Sequence, residues 1–288
     1  MSGETTDKEY QQEPLNILEG YQGIQVNRNL VRAPTNRILI GTPTLGSVRM
    51  EWAMSRFGLT IPCNWSQGVS TPFVATNAPV GYLVADAQNI IVRDAIEGNY
   101  DWLLLIEDDT CPPPDALIRV NDYIKKGDIP VVSGLYYQKA VPTEPLIYRG
   151  GGTGAFDDFM LGDMVWCDGI PTGFFLCNMK VMKILWDESA EYMAGNVLTR
   201  RVFEQPANVW FDEELGMLRS EGATSDLAWC KRVIDNDVLR RAGWPKIGKK
   251  KYPFVVDTNI FCRHIAPDGT MYPPVNVIPN VRKRPARR

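Results

Sequence analysis

The stretch Trp102-Leu103-Leu104-Leu105-Ile106 runs straight into Glu107-Asp108-Asp109-Thr110 and then Cys111-Pro112-Pro113-Pro114-Asp115, and it constrains the fold more than any other part of the chain. A short, continuous apolar run bounded by turn signals reads as a strand buried on both faces, as in an α/β sheet. Its carboxyl end delivers three consecutive acids into a proline-stiffened loop. In open α/β sheets ligands bind beyond the carboxyl ends of the strands, which is where this triplet falls. If the extended geometry persists past Ile106, Glu107 and Asp109 share one side and Asp108 faces the other. Oxygen ligands of this kind suit Mg²⁺ or Mn²⁺, completed by water and substrate phosphate oxygens. The plainer alternative is a solvated acidic turn, since charged side chains are mostly exposed.

The acidic strand sits in a chain of 288 residues, long enough to bury a substantial core in one large domain with appendages. With 31 Lys and Arg against 34 Asp and Glu, the net charge of -3 points to no polyanionic partner. Any such partner must use a local patch, Lys249-Lys250-Lys251 or the terminal Arg282 to Arg288. The six cysteines are scattered without a CxxC pair, and several lie in apolar runs where Cys behaves as a small hydrophobe, so they are read as reduced. The polar N-terminus lacks a signal-peptide core and no apolar run reaches membrane-spanning length. A cytoplasmic protein with no integral membrane association is expected.

Around the acidic strand, helix and strand patterns alternate. Residues 1-33 are polar and weakly patterned, an N-terminal extension. Arg37 to Thr44 reads as a strand ending in a Gly/Pro/Thr turn, followed by a helix from about Ser47, its expected N-cap, to Gly58. Ala85 to Glu97 carries helical spacing and ends at Gly98-Asn99. Asp115 is the expected N-cap of a helix through Ile124, stopped by Lys125-Lys126-Gly127. Ile129 to Tyr137 has the β-branched and aromatic content of a strand. The run Gly150 to Gly154 lacks the spacing and following helix of a phosphate loop, and reads as a turn. Val165 to Asn178 reads as turn chemistry leading into a strand, then a helix over about Lys180 to Trp186. Ser189 to Gly222 is expected to include a loop over the site. Thr224-Ser225-Asp226 opens a helix in which Leu227, Cys230, Val233 and Ile234 form one stripe. Phe254 to Ile265 reads as a strand with His264, the single histidine, near its end.

Taken together and in order, these features resemble the GT-A glycosyltransferases, in particular the large inverting family that uses nucleotide-sugar donors. Five segments carry the resemblance: Gly41 to Thr44; Arg93-Asp94; Ile106-Glu107-Asp108-Asp109-Thr110 in place of a hydrophobic-DxD pattern; the turn and strand from Gly169 to Leu176; and Ser225 to Cys230 with a later strand ending in His264. Glu107 stands where the family's first Asp falls, Asp94 where Asn is frequent, and Ser225 where an acid often precedes the catalytic Asp. The resemblance implies a GT-A, Rossmann-like mixed sheet flanked by helices in a single domain over 34-270, with 271-288 as a basic C-terminal tail.

It also implies a division of labour. Asp109, with Glu107 as auxiliary and His264 from the far end of the domain, would hold Mn²⁺ or Mg²⁺, and the ion would stabilise a departing diphosphate as a Lewis acid. Thr42, Pro43 and Thr44 would border the nucleotide, Asp108 the ribose or sugar, and Gly173 the sugar and acceptor. Arg93 would pair with the donor phosphates, an ion pair worth roughly 4 kcal/mol at ~4 Å and an effective dielectric near ~20, before desolvation. Asp226 would be the general base, and direct displacement with one base inverts the anomeric carbon. The acceptor stays open, with a hydroxymethylated DNA base gripped by the two basic patches as one candidate. A nucleotidyltransferase is the rival enzyme class, although Gly41 to Arg49 is a poor match to the basic, glycine-rich phosphate loop that class needs. A non-catalytic nucleotide-sugar-binding protein is the third reading.

Overall fold

In the computed structural model, which describes residues 36–62, 74–151 and 154–275, the apolar run becomes the third strand of a sheet. The chain opens with β1 (Ile38–Gly41), α1 (Met50–Phe57), β2 (Val74–Asn77), α2 (Val84–Glu97), β3 (Trp102–Ile106), β4 (Thr110–Cys111) and α3 (Ala116–Lys126). It continues through β5 (Val131–Leu135), β6 (Met164–Cys167), β7 (Phe174–Asn178), α4 (Met179–Glu188), β8 (Glu191–Ala194), β9 (Val197–Arg200), β10 (Ala207–Asp212) and β11 (Met217–Gly222). Then follow α5 (Ser225–Asp235), α6 (Val238–Arg241), α7 (Pro245–Gly248), β12 (Phe254–Phe261), β13 (Arg263–Ile265) and β14 (Met271–Tyr272). The described residues from Asn36 onward belong to one compact unit, and the expected N-terminal extension lies outside the described residues.

The main sheet has seven strands in the order β2-β1-β3-β7-β5-β12-β6. β2, β1 and β3 are mutually parallel, and β5 is parallel to β12. β7 runs antiparallel between β3 and β5, and β6 is antiparallel to β12 on the edge. The carboxyl ends of β1, β2, β3, β5 and β12 therefore share one edge with the amino end of β7.

Alternation along β3 sorts its side chains to two faces. Leu103 and Leu105 pack with Ile91 and Val92 of α2, Val181 and Leu185 of α4, and Trp229 and Val233 of α5. Trp102, Leu104 and Ile106 pack with Leu117, Val120 and Ile124 of α3. Every β3 residue is buried, as a strand covered by helices on both sides requires. The mixed α/β architecture thus agrees with the sequence reading.

Several local expectations shift. α1 starts at Met50, with Arg49 in place of Ser47 at its N-cap and no side-chain capping bond. Asp115 does sit at the N-cap of α3, yet its carboxylate accepts from Arg119 (2.8 Å) one turn on instead of capping the backbone. Gly127 ends that helix in the left-handed region (φ 63), where its lack of a Cβ removes the steric penalty. Ser189 to Gly222, expected to contain a loop, forms two hairpins, β8–β9 and β10–β11. The first is locked to α2 by Asn89, which donates to the Tyr192 hydroxyl (2.9 Å) and the Phe203 carbonyl (2.9 Å) and accepts from the Phe203 N–H (2.8 Å). Pairing of β14 with β13 carries the folded chain past the expected boundary at residue 270. The five described cysteines are free and buried. No helix among the described residues is long and apolar enough to cross a membrane.

Candidate active site

At the carboxyl edge, β3 does not continue into the acids. The Thr110 N–H donates to the Glu107 carbonyl (3.1 Å), closing a turn over residues 107 to 110, so the expected strand alternation of the triplet is lost. Two further bonds fix this turn: the Glu107 N–H donates to the Gly173 carbonyl (3.0 Å), and Trp52 Nε1 of α1 donates to the Glu107 carbonyl (2.7 Å). The three acids fan out to three different partners.

Asp109 meets the far end of the chain. β13 pairs antiparallel with β4, with His264 opposite Thr110, and the Ile265 N–H donates to the Asp109 carbonyl (2.7 Å). This small sheet carries His264 Nε2 to 3.3 Å from Asp109 Oδ2. His264 Nδ1 lies 2.8 Å from the Tyr137 carbonyl, just past β5, and the Tyr136 ring packs edge-on against the imidazole at 5.3 Å. The Lys139 ammonium forms an ion pair with the same Asp109 oxygen. Burial pushes the Asp109 carboxyl up, but the contacts with His264 and Lys139 outweigh it and hold the group down at about 2.

Glu107 turns to the β7 side. Its Oε1 accepts from the Thr172 hydroxyl (2.8 Å), which in turn accepts from Gln88 Nε2 of α2 (3.0 Å). Burial, followed by the negative charges of Asp109 and Asp226, raises its carboxyl to about 8, against the single Thr172 bond that lowers it. Asp108 takes the third direction, toward the β1 loop. Burial raises its carboxyl, and bonds from the Thr44 hydroxyl and the Leu45 N–H partly offset that.

Asp226 lies in the first turn of α5, with the Leu227 N–H donating to its Oδ1 (2.8 Å). Its pKa is raised by burial, and its charge acts on Glu107, Tyr136 and Tyr148. Its charge raises the Glu107 carboxyl, which couples it to the acidic turn although 117 positions separate it from Asp109. Gly173 backs this cluster: its N–H donates to the Tyr136 hydroxyl (2.6 Å), and a Cβ there would lie 2.6 Å from Thr110 Oγ1. No side chain larger than hydrogen fits while the two strands keep this approach.

A cleft of about 860 Å³ opens over the turn, lined by Pro43, Thr44, Tyr82, Asp108, Asp109 and Lys139 among others. That volume is in the range of small-molecule sites, about 300–1,000 Å³. Thr42, expected to border a nucleotide, is buried beneath it, and its hydroxyl has no hydrogen-bond partner among the described residues.

Two expectations fare differently. Arg93 does not line the cleft: it is bound to Asp94 (2.6 Å) and Glu97 (3.8 Å), and Asp94 in turn accepts from Asn77 at the end of β2. Among the described residues no three His, Cys, Asp or Glu are grouped to hold a metal, so the expected trio of Glu107, Asp109 and His264 is reduced to the Asp109–His264 pair. Lys249 to Lys251 enter β12 at its amino end, eight strand residues from its carboxyl end, or roughly 26 Å by strand rise. The basic stretch from Arg282 lies outside the described residues. Lys139, Tyr136, Thr172 and Gln88 were not singled out from the sequence, because their importance depends on which strand ends the sheet order brings together.

No family model matches the sequence, and no curated protein matches it. Among solved structures, one described as "Crystal Structure of A197 from STIV" is similar at 14% identity and a TM-score of 0.46, covering 86% of this chain and 99% of that one.

Proposed function

We propose that the chain is a metal-dependent, inverting glycosyltransferase that moves a sugar from a nucleoside-diphosphate sugar to an acceptor hydroxyl. The observation that carries this reading is the meeting of Asp109 and His264 at 3.3 Å beside a cleft that Asp108 and Asp109 line, with the charge of Asp226 acting on Glu107.

The donor set suits a divalent cation. The Tyr137 carbonyl only accepts, so His264 Nδ1 donates to it, and Nε2, which faces Asp109, is the ring atom that would ligate a cation in place of its proton. Asp109 and His264, 3.3 Å apart, would be the protein ligands of an Mg²⁺ or Mn²⁺ ion, and the Tyr137 carbonyl would orient the histidine. Such an ion supplies Lewis-acid stabilisation of the leaving diphosphate. Burial and its acidic neighbours raise the Glu107 carboxyl to about 8, which disfavours its charged form beside Asp109.

The remaining chemistry belongs to side chains of this chain. Asp108 with Thr44 forms a polar wall suited to ribose or sugar hydroxyls. Asp226 receives the acceptor proton while the acceptor oxygen bonds to the anomeric carbon. The carbon–oxygen bond to the diphosphate breaks with its electron pair going to the diphosphate. A carboxylate with a raised pKa is a stronger base, and a positioned base is worth about 10²–10⁴-fold in rate.

The reading is tested by incubating the protein with Mn²⁺, a panel of nucleotide sugars and candidate acceptors, including hydroxymethylated DNA, and measuring free nucleoside diphosphate. Turnover that Asp226→Asn lowers by at least ~100-fold with donor binding retained is the expected result. Release of pyrophosphate in a parallel incubation with nucleoside triphosphates and sugar 1-phosphates would assign nucleotidyl transfer instead, and donor binding without turnover would make the chain a binding protein.

A further inference from the structure

Among the described residues two cationic side chains line the cleft, Arg49 and Lys139, and their surroundings differ. Arg49 is pinned by both Glu51 oxygens (3.1 and 3.0 Å) and by the Pro267 carbonyl (2.9 Å). The Lys139 ammonium is held by one carboxylate oxygen of Asp109, the same atom that faces His264, and its side chain keeps 28% of its surface exposed. Its backbone is fixed, since the loop that carries it is closed by the Gln138 N–H to the Glu144 carbonyl (2.9 Å) and by the Thr143 hydroxyl to the Gln138 carbonyl (2.9 Å). A flexible four-carbon stem on a fixed base lets an ammonium change partners at little cost in backbone order.

We propose that Lys139 is the phosphate-binding cation of this cleft: it neutralises Asp109 while no donor is bound and passes to the diphosphate oxygens when the donor enters. This rests on the reading of the cleft as a nucleoside-diphosphate site. Arg93, held by Asp94 and Glu97, does not compete for the role. Transfer of the ammonium frees the Asp109 oxygen for a divalent cation, so Lys139 opposes the cation in the free protein and assists the diphosphate in the complex. One substitution then has effects of opposite sign on two ligands. A lysine that only neutralised Asp109 would lack the second effect.

The test titrates wild type, Lys139→Met and Lys139→Arg by calorimetry with Mn²⁺ alone, and then, in saturating Mn²⁺, with the diphosphates of uridine, guanosine, adenosine, cytidine and thymidine and with the matching nucleosides. The expected result for Lys139→Met is tighter Mn²⁺ binding, nucleoside diphosphate binding weaker by roughly tenfold or more, and unchanged nucleoside binding, with Lys139→Arg close to wild type for the diphosphate. Equal or tighter diphosphate binding by Lys139→Met, or an equal loss for the nucleoside, overturns the proposal. If wild type binds the diphosphate and Lys139→Met matches it, only the role of Lys139 fails. If wild type binds none of the diphosphates, the glycosyltransferase reading fails with it.

Discussion

Glu107 and Asp109 stand two positions apart and are driven in opposite directions, one to about 8 and the other to about 2. The cause lies in their surroundings, since Glu107 is buried with one neutral hydrogen-bond donor and three acidic neighbours while Asp109 has two basic groups on one oxygen. The linkage signs follow. A raised carboxyl favours the fold fully below its unfolded value of about 4.5, and that contribution is lost as pH rises toward 8. A lowered one favours the fold above about 3.8 and loses that contribution as pH falls through about 2. Glu107→Gln, which keeps the acceptor for Thr172, should therefore flatten the decline of thermal stability between pH 4.5 and 8 in chelator-treated protein and stabilise it at pH 8, by on the order of 2 kcal/mol. An unchanged slope in melting experiments would mean that Glu107 is ionised in the fold. Gly173 makes a steric prediction at the same scale. Gly173→Ala pushes a methyl against Thr110 Oγ1 and the Tyr136 hydroxyl, and should cost about 1–3 kcal/mol in denaturant unfolding.

At the scale of elements, the sequence made β3 and the helices around it legible because their apolar spacing is strong and local: Leu103 and Leu105 to one face, Trp102, Leu104 and Ile106 to the other. The turn after Ile106 was not legible. What breaks the strand is a set of bonds to Trp52 and Gly173, both distant in sequence. The two hairpins between α4 and α5 escaped for another reason. Val209, Phe211 and Leu218 are exposed, so the polar–apolar alternation of a half-buried strand is absent there. The β4–β13 pairing is the element on which the site depends most, since it joins His264 to the acidic turn. Ile265→Pro removes the N–H that donates to the Asp109 carbonyl (2.7 Å) and should weaken Mn²⁺ binding by roughly tenfold or more while the far-ultraviolet circular dichroism stays close to wild type.

Across the main sheet, the strand order turns six separated segments into one edge: the ends of β1, β2, β3, β5 and β12 and the start of β7. Asp109, His264, Asp108 and Asp226 were singled out from residue type and order; the β4–β13 pairing brings His264 to Asp109, and the charge of Asp226 acts on Glu107. Arg93 was drawn off by Asp94 and Glu97, and Lys139 went unread because nothing near it in the sequence points to Asp109. A cation bound by Asp109 and His264 is the premise of the whole mechanism. Electron paramagnetic resonance of Mn²⁺ titrated into wild type, Asp109→Asn and His264→Gln measures it directly. The account predicts saturable binding by wild type and a loss of roughly tenfold or more in each variant. Equal affinity in all three proteins would contradict it.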